Sequence, residues 1–221
     1  IPTKLITVMR QYLERYRDAE GAPVFPGGTY FSVRDDPTTL PLPAQESLDV
    51  VDSYAVSIRL MLAILGFVKV FRSVLTRADL LDEVRLVETM AKRRLTAAMI
   101  GLLRGYAVYV FDTDSDEDRR LCEMINQTGL PARRARDLLL DELRDVRAGL
   151  RDVTLGIGQL PDLDNPNKLF ECGWSWGVTV GAPAVKVDAP DVPQPDGVAQ
   201  AAPYLYFTVV ALDCIPNLSS E

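Results

Sequence analysis

VDSYAVSIRLMLAILGFVKVF, residues 51–71, is the most apolar stretch of the chain, and it decides the fold. Its apolar residues recur every three or four positions, as they do along a buried α-helix. They form two adjoining stripes, one of Leu48, Val51, Ala55, Ile58, Leu62 and Leu65, the other of Val50, Tyr54, Met61, Ile64, Val68 and Phe71. The sequence therefore predicts a central helix, from Pro43 or Ser47 to about Ser73, surrounded by other helices.

Five further helices are predicted from the same spacing and from helix start and stop signals. They cover residues 3–18, 77–111, 115–128 and 131–155, with a last helix that begins at Pro203. Only a few residues separate the helix 77–111 from the central helix, so the two should form an antiparallel hairpin. Gly101 and Gly105 lie one turn apart on the later half of this helix, which favours a close helix crossing.

These elements predict a mainly α fold, either a helical bundle or an α/α solenoid-like or toroid-like array of antiparallel helices. A small irregular or β element is expected near residues 171–180, where the side chains alternate as in a strand. The segment 29–33 is either a short strand or a loop. We expect a helical domain at 1–158, an irregular segment with a proline-rich linker at 159–203, and a further helix at 204–221 that packs on the same domain.

The charge balance disfavours several classes of partner. The 221 residues contain 24 Lys and Arg against 31 Asp and Glu, so the net charge is −7. Nucleic acids and anionic membranes attract proteins through a positive field, so we expect no nucleic-acid partner. The apolar run between Arg59 and Lys69 covers about half of the ~20 residues that a bilayer needs, so no membrane span is expected.

The sequence contains no histidine, which excludes Ser-His-Asp and Cys-His catalysis and histidine-ligated metals. Glycine-rich nucleotide-binding motifs and the nucleophile-elbow motif are also missing, so the sequence predicts no cofactor and favours a protein that is not an enzyme. The three cysteines, Cys122, Cys172 and Cys214, are odd in number and far apart in the sequence, which favours reduced thiols in the cytoplasm.

The acidic turn at Asp112–Asp118 has two interpretations. Its alternating acids, with an acid where a calcium-binding loop places its last ligand, suggest a metal site. The candidate ligands are Asp112, Asp114, Asp116 and Glu123, with Asp118 beside them. The sixth position, however, is Glu117, where that loop requires glycine. The alternative interpretation is a capped helix start, at which acids favour the helix dipole.

The segment around Trp174 and Trp176 is the best candidate for ligand or partner binding. The two indoles could stack on a sugar or on a partner's side chain, with Glu171 nearby. The alternative is that the tryptophans cover the core, which is the commoner use of such a pair. Asp52 and Asp213 lie inside apolar helical runs and are either catalytic or ligand-gripping acids or structural ones. A structural acid would lie on the polar edge of its helix or pair with an arginine, the candidates being Arg59, Arg72 and Arg104.

Three functions remain compatible with the sequence. The first is a non-catalytic interaction or assembly domain of a larger cytoplasmic bacterial protein, with a protein partner or self-association. The start at Ile1 rather than at Met favours a piece of a longer protein. The presence of only five lysines among the 24 basic residues favours the codon bias of a GC-rich genome. The alternative is a carbohydrate-active or other carboxylate-based enzyme of α/α type, using acids near Trp174 and Trp176. No small-molecule ligand can be named. The weakest hypothesis is membrane engagement through residues 60–71.

Overall fold

The computed structural model describes residues 2–32, 40–127, 129–152, 165 and 167–219. It is mainly helical and carries a small two-stranded antiparallel sheet, which confirms the predicted fold class. The elements in chain order are α1 (Pro2–Arg15), a 3-10 helix (Gly28–Phe31), α2 (Pro43–Glu46), α3 (Val51–Val74), α4 (Ala78–Arg104), β1 (Tyr106–Asp112), α5 (Asp116–Ile125), α6 (Ala132–Asp152), β2 (Lys168–Trp174), α7 (Leu205–Cys214) and α8 (Pro216–Ser219).

The hairpin of α3 and α4 is the centre of the fold, as predicted. These two helices make the most extensive contact in the molecule, and residues 75–77 connect them. Toward the hairpin's turn, α1 packs on α4 and closes a first apolar core. The fully covered members of that core include Met61, Val84, Val87 and Ala91. Each buried side chain of the size of valine or methionine contributes about 1.5–3 kcal/mol to folding.

A second core lies toward the start of α3 and joins α3, α4 and α7. Here the predicted close crossing at Gly101 and Gly105 is confirmed. A Cβ on Gly101 would lie 2.5 Å from Cε1 of Tyr54, and one on Gly105 would lie 3.0 Å from Cγ2 of Val51. The missing side chains therefore let the start of α3 approach the end of α4.

The second long helix ends earlier than predicted, at Arg104 rather than at residue 111. Gly105 follows it, and the chain turns into β1, which pairs antiparallel with β2 from Tyr106 opposite Trp174 to Asp112 opposite Lys168. Residues 106–112 are apolar enough to continue a helical stripe, but five of the seven are β-branched or aromatic. A partner strand more than fifty residues away decides between the two structures.

Two irregular segments differ from expectation. Within 29–33, residues 29–31 belong to a 3-10 helix and not to a strand. Residues 182–199, expected as an extended or mobile linker, pack on α4. Val185 and Val192 bury against Ile100, and Arg104 donates hydrogen bonds to the carbonyls of Pro195 (2.7 Å) and Ala182 (3.2 Å). The segment is therefore extended, and Ile100 and Arg104 hold it against α4.

Helix α3 is not surrounded on all sides, contrary to the prediction. Val56, Phe67, Val70 and Val74 expose 52%, 47%, 55% and 62% of their surfaces. Among the described residues, α3 is the one helix whose length and composition would let it cross a membrane, and 44% of its most apolar window is buried inside the protein. Core helices of globular proteins meet the same criteria. The prediction failed because α3 is apolar on nearly every face, and the pattern cannot show which face stays uncovered.

Candidate functional site

The exposed apolar residues of α3 form one continuous seam along the helix. The seam consists of Val56, Leu60, Ala63, Phe67, Val70 and Val74, of which Leu60 is half-buried and the others are exposed. The steps between them alternate four and three, which is the spacing of a coiled-coil contact line. Val56 and Val74 are 18 positions apart, so the seam is about 27 Å long at 1.5 Å per residue.

Helix α7 continues this apolar surface beside the first half of α3. The two helices pack together, and Arg59 on α3 forms an ion pair with Asp213 on α7. The outward side chains of α7 are also apolar and exposed: Leu205 (82%), Tyr206 (52%), Val209 (55%) and Leu212 (54%). We call the α3 seam together with these four residues the α3/α7 face. A contiguous apolar surface of this extent is typical of an interaction site.

The polar residues around the α3/α7 face are unevenly distributed. Asp52 lies at the start of α3, where its carboxylate interacts with the hydroxyl of Tyr206. The end of α3 is basic, with Lys69 and Arg72, and Arg72 lies 2.9 Å from Glu88 of α4. Between them Gly66 is exposed, and a Cβ added there would meet no atom within 4 Å. The face therefore has an acid at its start and an open glycine near its middle, while Lys69 and Arg72 border the groove between α3 and α4.

Trp174 lies in the second core and is only 8% exposed. Its indole Nε1 donates a 2.8 Å hydrogen bond to the carbonyl of Leu102, near the end of α4. Its ring packs edge-on against Tyr106, the residue opposite it in the sheet, with ring centroids 4.9 Å apart. The indole is thus used in covering the end of α4, which agrees with the core interpretation of this residue.

The structure does not assemble Glu171, Trp174 and Trp176 into one site. Glu171 and Trp174 are three residues apart on β2, so their side chains lie on opposite faces of the strand. Trp176 is half-buried, packs against Phe31 at 5.1 Å between centroids, and accepts a 2.8 Å hydrogen bond on its carbonyl from the amide of Val51. Trp176 therefore covers the start of α3.

The acidic turn is organised by basic side chains. Arg136 on α6 pairs with Asp118 and, at 2.9 Å, with Asp114, while Lys168 lies 2.9 Å from Asp112 and Arg119 pairs with Asp116. Within the ranges that the structure describes, no three His, Cys, Asp or Glu side chains lie close enough to hold a metal ion. Glu123 is exposed on α5. The arrangement fits the capping interpretation better than a calcium loop.

Asp118 is the centre of this turn and has no exposed surface. Its Oδ1 accepts a bond from Nε of Arg136 (3.2 Å), and its Oδ2 accepts one from the amide of Asp114 (2.8 Å). Its own amide donates to Oγ of Ser115 at the start of α5. Burial alone raises the pKa of Asp118, but the bonds from Arg136, Asp114 and Cys122 outweigh it and hold that pKa below its usual range.

A cavity of about 360 Å³ lies between the loop 18–25, the start of α3 and the end of α4. Among its lining residues are Asp18, Asp49, Tyr54 and Arg104. Both carboxylates already accept backbone bonds from the loop, Asp18 from Ala22 (2.6 Å) and Asp49 from Phe25 (2.7 Å). Burial raises the pKa of Asp49 despite these bonds. The acids thus organise the loop and also face a shared space.

The α3/α7 face and this cavity were both missed by reasoning from the sequence. The seam was visible as a four-three spacing, but every other face of α3 shows comparable apolarity. The cavity joins Asp18, Asp49 and Arg104, which are separated by up to 86 positions. No local spacing connects them, because the contact depends on how the loop folds over α4.

Comparison with known proteins gives one match. The family model described as SCO2524-like matches residues 1–221. No curated protein and no solved structure matches the chain. The comparisons therefore show the family, and the function has to be inferred from the geometry.

Proposed function

The chain belongs to the SCO2524-like family, and we propose that it is a non-catalytic helical domain that binds a protein partner or associates with itself through the α3/α7 face. In this proposal it acts in the cytoplasm as part of a larger bacterial protein. Its role is to hold partners together rather than to convert a substrate.

The observation that supports this function is the exposure of the α3/α7 face. Leu205 exposes 82% and Val74 62% of their surfaces, on helices that are otherwise packed into the core. Single exposed apolar residues are ordinary, but a continuous seam of ~27 Å on a rigid helix is a typical helix-binding surface. Because α3 is fixed by α4, the seam keeps its shape before a partner arrives.

The catalytic alternative has less support. A carbohydrate-active enzyme needs an aromatic platform beside two carboxylates. Trp174 is buried and faces away from Glu171. The described cavity offers Asp18 and Asp49 to a carboxylate-based enzyme instead. Stabilisation of the native chain by saccharides in a thermal-shift screen, lost in Asp49→Asn, would support that alternative.

Photo-crosslinking in the native host tests the interaction function. A benzophenone-bearing phenylalanine analogue replaces Phe67, at the middle of the seam, or Leu86, a 44% exposed control on α4. We expect position 67 to give adducts of discrete mass that contain a protein partner or a second copy, and position 86 to give none. Equal labelling from both positions, or no protein adduct from position 67, would contradict the proposal.

A further inference from the structure

The seam on α3 is symmetric about its own centre. Its six residues form three pairs whose numbers add to the same value: Val56 with Val74, Leu60 with Val70, and Ala63 with Phe67. We propose that the α3/α7 face binds a second copy of this chain, with the two α3 helices antiparallel and crossing at Gly66. This inference rests on the proposed interaction function and names its partner.

The antiparallel arrangement matches residues of suitable size. It places Phe67, the largest side chain of the seam, opposite Ala63 of the other copy, the smallest. Large side chains opposite small ones interdigitate without voids. At the two ends Val56 faces Val74, and both are more than half exposed in the single chain. Every exposed position of the seam thus gains an apolar neighbour.

Gly66 supports the position of the crossing. It flanks the seam within one residue of its centre, so it would meet its own copy across a two-fold axis. Glycine inside a helix costs about 1 kcal/mol relative to alanine. A Cβ at this position would meet nothing within 4 Å in the single chain, so no contact there explains that cost. At a helix crossing, the missing side chain would let the two backbones approach.

The charges at the two ends of α3 favour antiparallel helices. The antiparallel pair brings Asp52, at the start of α3, to the end of the other copy's α3, where Arg77 lies in the following turn and already pairs with Asp79. A parallel pair would instead place Asp52 at the same end as its own copy. Opposite charges thus approach only in the antiparallel pair. Lys69 and Arg72 border the groove between α3 and α4, away from the seam.

Helix α7 is needed to make the interface large enough. A stable interface covers about 800 Å² on each partner. One helix face of ~27 Å by ~10 Å covers only part of this area. The ion pair of Arg59 with Asp213 places the end of α7 beside the first half of α3. Leu212 is therefore positioned to contact the end of the other copy's α3.

Disulfide crosslinking between two differently substituted chains tests the arrangement. Cys172 is exposed while Cys122 and Cys214 are buried, so both chains first carry Cys172→Ser. One chain then carries Val56→Cys and the other Val74→Cys. Mixed and mildly oxidised, they should form the mixed disulfide at several times the yield of either chain with itself. A parallel dimer would instead favour Val56→Cys with itself, which would overturn the proposal.

Gly66→Leu tests the crossing without weakening the helix, because leucine is a better helix former than glycine. We expect the dimer dissociation constant from sedimentation to rise at least tenfold. Gly149→Leu, at an exposed glycine of α6 with equally open space, is the control and should leave it unchanged. An unchanged constant in Gly66→Leu, or a monomeric native chain at 100 μM, would overturn the proposal.

The outcomes also separate this inference from the function on which it rests. Adducts from position 67 that contain only a different protein, together with a monomeric chain, would leave the interaction function standing and overturn the second copy as partner. Binding of the monomer to phosphatidylcholine–phosphatidylglycerol vesicles, abolished by Phe67→Glu, would overturn both in favour of a membrane surface.

Discussion

The ring of Tyr54 on α3 occupies the space that a side chain at Gly101 on α4 would need. A Cβ on Gly101 would lie 2.5 Å from Cε1 and 2.7 Å from Cε2 of that ring. Tyr54 is buried, and its hydroxyl lies 3.4 Å from Oδ2 of Asp49. Burial, followed by the negative charge of Asp49, raises the pKa of Tyr54 well above its usual value. The contact of the Tyr54 ring with Gly101 sets the distance between α3 and α4.

Gly101→Ala should therefore destabilise the protein, although alanine is the better helix former. Overpacking of a filled core typically costs 1–3 kcal/mol, and we expect a decrease of that order in the free energy of unfolding, measured by urea denaturation. Gly149→Ala, where a Cβ meets nothing within 4 Å, should instead stabilise the protein by about 0.5–1 kcal/mol. If Gly101→Ala also stabilised the protein, Tyr54 would be shown to move away easily.

Asp118→Asn should destabilise the protein strongly near neutral pH. Removing one member of a buried ion pair costs about 3–5 kcal/mol, and Asp118 is fully buried against Arg136. Asp141→Asn, in an exposed pair with Arg144, is the control and should change stability by less than about 1 kcal/mol.

The effect of Asp118→Asn should depend on pH. Because the folded-state pKa of Asp118 is lowered, its contribution is complete above the unfolded value of about 3.9 and is lost as pH falls through the folded value. Urea denaturation of both chains between pH 3 and pH 7 measures this. The difference between native chain and variant should shrink below about pH 4. A constant difference would mean that the ion pair is not its source.

Most of the helices could be predicted from the sequence, because their signals are local. Ser115 caps α5 by accepting a bond from the amide of Asp118, which is the capped helix start that was one of the two interpretations of the acidic turn. Pro131 directly precedes α6, which begins at Ala132. The predicted ends of two helices, at residues 128 and 155, lie outside the described residues, as do residues 159–164 of the predicted irregular segment. The domain boundaries stay a prediction.

The elements that depend on distant partners could not be predicted. The strand β1 continues an apolar helical pattern and becomes a strand only because β2 pairs with it. The seam on α3 has the same limit, since whether Val70 or Val68 is covered depends on where α4 lies. Asp213 has the same limit. It pairs with Arg59, one of three arginines that the sequence offered as partners, and no local spacing chose among them.

Arg104→Met should release the segment 182–195 from α4. The guanidinium of Arg104 is 3% exposed and holds two carbonyls of that segment. A hydrogen bond from a charged group contributes about 1.5–3 kcal/mol, so amide exchange in the segment should accelerate by about tenfold or more. Arg85→Met, which removes an exposed pair with Asp82, should leave this exchange unchanged. Unchanged exchange in Arg104→Met would show that Val185 and Val192 suffice as anchors.

Trp174→Phe should lower the free energy of unfolding by about 0.5–1.5 kcal/mol, because the carbonyl of Leu102 loses the indole donor and keeps only the 3.2 Å bond from the amide of Gly105. Thermal unfolding of the two chains measures the effect. Trp176→Phe is the matched control, since the 2.8 Å bond near that residue uses its backbone carbonyl and survives the substitution. If Trp174→Phe leaves the free energy of unfolding unchanged and Trp176→Phe lowers it, the indole of Trp176 and not that of Trp174 stabilises the fold.

The pairing of β1 with β2 has a consequence for engineering the chain. Asp112 and Lys168 are neighbours across the sheet, and the amide of Thr113 donates a 2.9 Å bond to the carbonyl of Asn167. The polypeptide thus leaves and re-enters the molecule at adjacent points, and neither α5 nor α6 contributes to the two main cores. The chain between Asp112 and Lys168 is therefore a site for inserting a reporter domain without separating α3 from α4.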